Sequence, residues 1–251
     1  MFTEPVSNVC REAMIQELRT DLRQMQRGLR LEAREKHSVS TGIASLDDIL
    51  PDRGLCPGTL SEWIASEAGS GATTLAMQAA GRVQNAGPLI IVDSRLSFYA
   101  PAFRAVGVCT NKTILIRPKS RADVLWALEQ SLRCPGIGAV LCPIDRLKTQ
   151  EFRRLQLAAE AGTAVGILIR PPTATRQPGW ADVRLLVRPA PSPPQSFHRR
   201  MEVRCVYAKG GMADQSVELE MCDETGALRL AAGLSDSAAA LRTAGVQDPS
   251  P

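Results

Sequence analysis

The sequence predicts an α/β fold with a mostly parallel sheet that is covered by helices on both faces. Short apolar runs typical of strands alternate along the chain with longer stretches typical of helices. The apolar runs are continuous, a pattern that indicates strands buried on both faces. No apolar run approaches the roughly 20 residues of a membrane span, so we expect no membrane partner.

The elements follow one another regularly between residues 60 and 171. The predicted strands are residues 60–65, 87–94, 112–118, 137–144 and 164–171, and the predicted helices are 73–84, 121–132 and 148–161. A proline-rich break follows at residues 190–196, and alternating residues on either side of a Gly210-Gly211 turn predict a C-terminal β-hairpin.

Four regions are therefore expected. Residues 1–38 form an N-terminal helical segment, residues 39–190 the core and residues 191–231 the C-terminal strand pair. Residues 232–251 are small and polar, which predicts a disordered tail.

An apolar stripe marks the N-terminal segment. Residues 11–36 contain no proline, and their apolar residues recur at spacings of four, four, three and four, which predicts an amphipathic helix. The stripe has two interpretations: it packs on this protein's own domain, or it serves as a docking or oligomerisation helix. Its residues are Met14, Leu18, Leu22, Met25 and Leu29.

The composition is that of an ordinary globular chain. Hydrophobic residues make up 44% and charged residues 22% of the 251 residues. The net charge of +4 is mild, so nucleic-acid binding would depend on local clusters of basic residues. Seven cysteines without a C-x-x-C pair, and two histidines, predict reduced thiols, a cytoplasmic protein and no metal site. The first residues lack the pattern of a signal peptide.

Residues 66–80, SEAGSGATTLAMQAA, have the pattern of a phosphate-binding loop that opens a helix, but its lysine is missing. The pattern G-x-x-x-x-G-K-[ST] would place glycine at Ser66 and lysine at Ala72. Gly69 and Gly71 keep the loop able to cradle phosphates, and Thr73 still offers a hydroxyl to magnesium. Losing the lysine costs on the order of 1.5–3 kcal/mol of binding for each charge-assisted hydrogen bond. The alternative is a compact strand-to-helix connection without a ligand.

Residues 40–80 and 91–108 resemble the entry of a RecA-type core, and the resemblance covers residues 39–190. It implies a catalytic glutamate after the second strand, where this sequence has Arg95, which cannot act as a base at neutral pH. It also implies a magnesium-binding aspartate near Pro143, whereas Asp145 stands two residues later. We therefore expect a degenerate core that does not hydrolyse ATP and needs no cofactor.

Residues 138–171 and 179–191 further resemble the ImuA family, whose relatives include SulA-type division inhibitors. The resemblance implies a non-catalytic accessory of DNA-damage-induced mutagenesis. Its partners in translesion synthesis would be an ImuB-like inactive Y-family polymerase, an error-prone C-family polymerase and RecA.

DNA contact is predicted from local charge. The resemblance to RecA implies that the loop after residue 170 faces DNA, and this loop combines arginines with a tryptophan suited to stacking. The alternative is a solvated loop whose tryptophan packs on the core. The candidates are Arg170, Arg176, Trp180, Arg184, Arg188, Arg199, Arg200 and Arg204.

Two other functions stay open at this point. One is a divergent RecA-family ATPase that borrows a lysine from elsewhere, such as Lys112 or Lys119. The other is a cell-division inhibitor of the SulA type.

Overall fold

The structure is a computed structural model, and it describes residues 38–192, 198–210, 213–222 and 228–231. The predicted apolar stripe at residues 14–29 and the predicted tail at residues 232–251 lie outside these residues. The division of the chain into four regions stays a prediction.

One sheet forms the centre of the described part of the chain. Its nine strands are β1 (Leu60–Ala65), β2 (Leu89–Val92), β3 (Thr113–Ile116), β4 (Ala139–Pro143), β5 (Val165–Arg170), β6 (Val183–Ala190), β7 (His198–Ala208), β8 (Ser216–Cys222) and β9 (Leu228–Leu230). They lie in the order β3-β2-β4-β5-β1-β6-β7-β8-β9. Pairing is parallel from β3 to β6 and antiparallel from β6 to β9. The predicted α/β class with a mostly parallel sheet is confirmed.

Helices cover both faces of the parallel part, as predicted. They are α1 (Ala44–Asp48), α2 (Ala72–Val83), α3 (Arg121–Arg133) and α4 (Thr149–Gly162). The apolar side of α2 packs on one face, and α3 and α4 pack side by side on the other. Among the described residues no helix is both long and apolar enough to cross a membrane.

Alternate residues of each central strand supply the two layers of the core. In β2, Leu89 and Ile91 pack towards α2, whereas Ile90 and Val92 pack towards α3 and α4. Both faces of the strand are thus covered by apolar side chains, which explains why the sequence shows a continuous apolar run instead of alternation.

The C-terminal strands extend the same sheet. β7 and β8 are antiparallel, which confirms the predicted C-terminal β-hairpin, and β7 also pairs with β6. On the α2 side, Met201, Val203 and Leu219 are buried in the main core. Met201 thereby comes to the carboxyl end of β1, where the glycine-rich loop begins.

Candidate functional site

The glycine-rich loop lies between the carboxyl end of β1 and the first turn of α2. Gly69 and Gly71 have φ angles of 81° and 91°, in the left-handed region that glycine adopts without strain. The Ser66 amide donates to the Val187 carbonyl at 2.9 Å, which fastens the loop to β6. The structure therefore has the glycine-dependent strand-to-helix turn that the sequence predicts.

The position of the missing cation is filled by an apolar group. Ala72 is the first residue of α2, and its side chain is 1% exposed within the core cluster. Across the loop, a Cβ built on Gly71 would lie 2.9 Å from Met201 Sδ and 3.0 Å from Met201 Cε. The thioether of β7 thus packs directly against the loop.

A cavity of about 450 Å³ lies in front of the loop. Thr73, Arg199 and Arg200 line it together with Met201, so the fold joins the loop to residues about 130 positions later in the chain. Arg200 is buried and its Nε lies 3.5 Å from Glu220 Oε1. The buried Ser70 hydroxyl has no hydrogen-bond partner among the described residues. Hydroxyl side chains and two arginines thus line the cavity, but no lysine occupies the position that the pattern requires.

The two other positions at which the sequence departs from a catalytic RecA-type core, Arg95 and Asp145, are in contact in the structure. Arg95 forms an ion pair with Asp145, across the carboxyl ends of β2 and β4. Asp93 is buried and accepts hydrogen bonds from the Arg95 amide, the Ser97 hydroxyl and the Phe98 amide at 3.0, 3.0 and 3.1 Å. Asp93 thus holds the turn after β2, and Asp145 balances the arginine that replaces the expected base.

Cys142 of β4 lies beneath this edge of the sheet. Burial, with a smaller contribution from the Asp93 carboxylate, raises the pKa of the Cys142 thiol to about 12. The thiol therefore stays protonated at neutral pH and is a poor nucleophile. The described residues contain no group of three metal-ligating side chains.

A buried ion cluster that no residue pattern predicted lies around Glu62 of β1, on the same face of the sheet as Cys142. Glu62 is 1% exposed, and its carboxylate meets Arg170 Nε at 3.4 Å and Arg184 Nε at 2.5 Å. Burial lowers the pKa of the Arg170 guanidinium, and the negative charge of Glu62 opposes that shift. Glu62 stands 108 residues from one arginine and 122 from the other, so no local pattern announces the contact.

The cluster fastens the connection between β5 and β6, residues 171–182, which crosses over β1. Arg170 Nη2 donates to Gln177 Oε1 at 2.8 Å, and Arg184 Nη2 donates to the Ala174 carbonyl at 2.6 Å. A Cβ built on Gly179 would lie 2.9 Å from both Glu62 Oε2 and Arg184 Nε. Two of the arginines predicted to bind DNA, Arg170 and Arg184, instead hold this loop against the sheet.

This placement corrects the set of candidate DNA contacts. Arg170 and Arg200 are buried and Arg184 is only 12% exposed, each of them engaged by a carboxylate, so we remove these three from the set. A count of arginines along the sequence does not reveal which acidic residues face them in the fold. Arg204 is paired with Asp214 at its Nε, 2.9 Å away. Arg176, Trp180, Arg188 and Arg199 are exposed, and DNA contact by them stays a prediction.

No protein-family model matches the chain. The chain is 34% identical to the cell division inhibitor SulA of Edwardsiella piscicida over 67 residues, which are 27% of this chain and 40% of that protein. It is 32% identical to the protein RecA of Chlorobium limicola over 105 residues, which are 41% of this chain and 30% of that protein. The chain therefore spans less than half of either relative. It is RecA-like in part of its sequence, and neither relative bears on the resemblance to ImuA.

Proposed function

We propose that this protein is a non-catalytic, RecA-like accessory of DNA-damage-induced mutagenesis, of the ImuA type. It acts in the cytoplasm through protein partners and weak DNA contact. The partners are an ImuB-like inactive polymerase, an error-prone C-family polymerase and RecA. The observation that carries the proposal is the rebuilt loop and sheet edge: Ala72 in the core, Met201 against Gly71, and Arg95 paired with Asp145.

The geometry also argues against a lysine borrowed from elsewhere in this chain. Lys112 and Lys119 flank β3, and four strand spacings separate β3 from β1 in the sheet order. At about 4.8 Å per spacing this is roughly 19 Å, several times the reach of a lysine side chain. Neither Lys112 nor Lys119 can therefore take the place of the missing lysine at the loop.

An ATPase assay tests the catalytic part of the proposal. We expect no turnover by the wild-type chain, with or without DNA. The variant Ala72→Lys should also be inactive, because Arg95 still occupies the position of the base. DNA-stimulated hydrolysis that copurifies with the chain and changes on Ala72→Lys would overturn this part of the proposal.

A mutagenesis assay tests the partner part. The variant Leu18→Glu/Leu22→Glu/Met25→Glu removes the apolar stripe and keeps good helix formers. The control Gln16→Glu/Thr20→Glu/Gln24→Glu adds the same charge on the other side of the predicted helix. If the stripe docks a partner, the first variant melts like wild type but lowers damage-induced mutation, and the control does not. Early melting of the first variant would assign the stripe to this protein's own core.

A second candidate function, inhibition of cell division, is favoured by the similarity to SulA over 67 residues. Overproduction in undamaged cells distinguishes the two. Filamentous growth would support a division inhibitor, whereas normal division together with a change in damage-induced mutation supports the mutagenesis accessory.

A further inference from the structure

A second cavity of about 450 Å³ lies at the carboxyl ends of β2 and β4. It shares no lining residue with the cavity at the glycine-rich loop. The carboxyl ends of parallel strands are where open α/β sheets bind ligands. The described residues that line it include four basic side chains and a single acidic one, Asp145. The basic residues are Arg95, Lys119, Arg121 and Arg146.

Ion pairs absorb only part of this positive charge. Arg95 is paired with Asp145, and Arg121 Nη2 lies 2.7 Å from Glu151 Oε2, outside the cavity lining. Lys119 and Arg146 are exposed and form no ion pair with any described residue. These two cations are left to attract an anion.

The N-terminus of α3 lies beside the cavity, but its backbone amides are not what would bind an anion there. Ser120 Oγ accepts a hydrogen bond from the Asp123 amide at 3.1 Å, and the Ser120 amide donates to Asp123 Oδ2 at 3.2 Å. This capping box satisfies donors that would otherwise face a ligand. Recognition of an anion therefore falls to the basic side chains.

The surface formed by β6–β8 differs from this cavity in charge. There Arg188 stands opposite Glu202, and Glu202 stands opposite Glu218. Arg204 is paired with Asp214. Acidic residues thus accompany the arginines that the sequence analysis selected, whereas the lining of the cavity at β2 and β4 has a net charge of +3, four basic residues less one acidic residue.

We propose that the cavity at the carboxyl ends of β2 and β4 is a phosphate-binding site, with Lys119 and Arg146 as the principal contacts. Arginine and lysine both suit phosphate: the guanidinium group can donate two parallel hydrogen bonds to its oxygens, and the lysine ammonium group provides a compact positive charge. The phosphate comes either from a single-stranded nucleic acid or from a soluble polyphosphate. The proposal deepens the DNA contact in the proposed function and does not depend on the protein partners.

The test is binding of a fluorescein-labelled oligothymidine to the full chain, followed by fluorescence anisotropy across a salt titration. In Lys119→Ala/Arg146→Ala, two lost contacts should lower the salt slope by about 1.4, at 0.7 per contact for single strands. If the two proteins bind equally at 1 M salt, this change in slope corresponds to about a 25-fold lower affinity of the variant at about 0.1 M salt. The control Arg104→Ala/Lys112→Ala removes the same charge from exposed residues outside the cavity and should bind like wild type.

The outcomes separate this inference from the proposed function. If Lys119→Ala/Arg146→Ala binds like wild type while Arg176→Ala/Trp180→Ala does not, the inference is overturned and the DNA contact stands. If wild type ignores the oligonucleotide but binds inorganic tripolyphosphate in calorimetry, and Lys119→Ala/Arg146→Ala abolishes this, the site is supported with a soluble ligand and the DNA contact fails. If wild type binds neither probe, both fail. Melting temperatures of the three double variants that equal that of wild type are the check on folding.

Discussion

Two ion clusters lie at very different depths on the same sheet. Glu62 and Arg170 are 1% and 2% exposed and sit with Arg184 under the crossover, whereas Arg95 and Asp145 are 51% and 52% exposed at the carboxyl edge. Each joins arginine to a carboxylate, but the surroundings of the two differ. A buried carboxylate compensates charges that water cannot reach. In an exposed pair, the free energy gained from the contact is about equal to the free energy of hydration that the two charges lose. Depth therefore separates the cluster that holds the fold from the pair that only alters the site.

The largest effect is expected from Glu62→Ala. Removal of this carboxylate leaves Arg170 buried without its counter-charge and also removes the partner of Arg184 Nε. Loss of one member of a buried pair costs about 3–5 kcal/mol, so the free energy of unfolding in urea should fall by about that amount. The matched comparison is Asp145→Ala at the exposed pair. Its free energy of unfolding should fall by less than about 1 kcal/mol. Equal losses in the two variants would contradict the distinction by depth.

A double variant sharpens the same comparison. In Glu62→Leu/Arg170→Met, the two most deeply buried charges are replaced by apolar groups of similar size, and only Arg184, which is 12% exposed, loses its counter-charge. Part of the stability lost in Glu62→Ala should return in urea denaturation. A double variant that is less stable than Glu62→Ala would show that the ions stabilise the fold in a way apolar packing cannot replace.

A smaller effect is expected from Gly179→Ala. The added methyl group would lie 2.9 Å from Glu62 Oε2 and from Arg184 Nε, so the crossover must move away from the cluster. Overpacking of this kind costs about 1–3 kcal/mol. Thr173→Ala is the control, because Thr173 is exposed on the same crossover and its truncation should change stability by less than about 0.5 kcal/mol. If Gly179→Ala has the same free energy of unfolding as wild type, the crossover is not tightly held against the cluster.

The sequence predicted the elements well because their signals are local. The apolar run around Ile90 and the helix after Ser120 each depend on neighbours within a few positions, and both appear in the structure close to the predicted bounds. The glycine pattern around Gly71 is local in the same way.

The clusters could not be predicted because their members come together only in the folded sheet. Glu62 meets Arg170 and Arg184 because β1 lies between β5 and β6. Arg95 meets Asp145 because β2 and β4 are neighbours. Buried arginines are also uncommon, which made exposure the natural expectation for Arg170. Met201 reached the loop through the antiparallel extension, whose position in the sheet no residue pattern specified.

The smallest effect is expected at the exposed pair. A double-mutant cycle with Arg95→Ala, Asp145→Ala and the double variant isolates their coupling, which should be about 0.2–1 kcal/mol because both side chains are half in water. Salt screens such contacts, so the coupling measured by urea denaturation should shrink when the salt is raised from about 0.1 M to about 1 M. A coupling above about 2 kcal/mol that persists in high salt would contradict the distinction, because the pair would then behave like the cluster at Glu62. A small, salt-sensitive coupling instead means that Arg95 can occupy the place of a catalytic base at almost no cost in stability. Under the proposed function, this is how the core would dispense with a catalytic base and keep its fold.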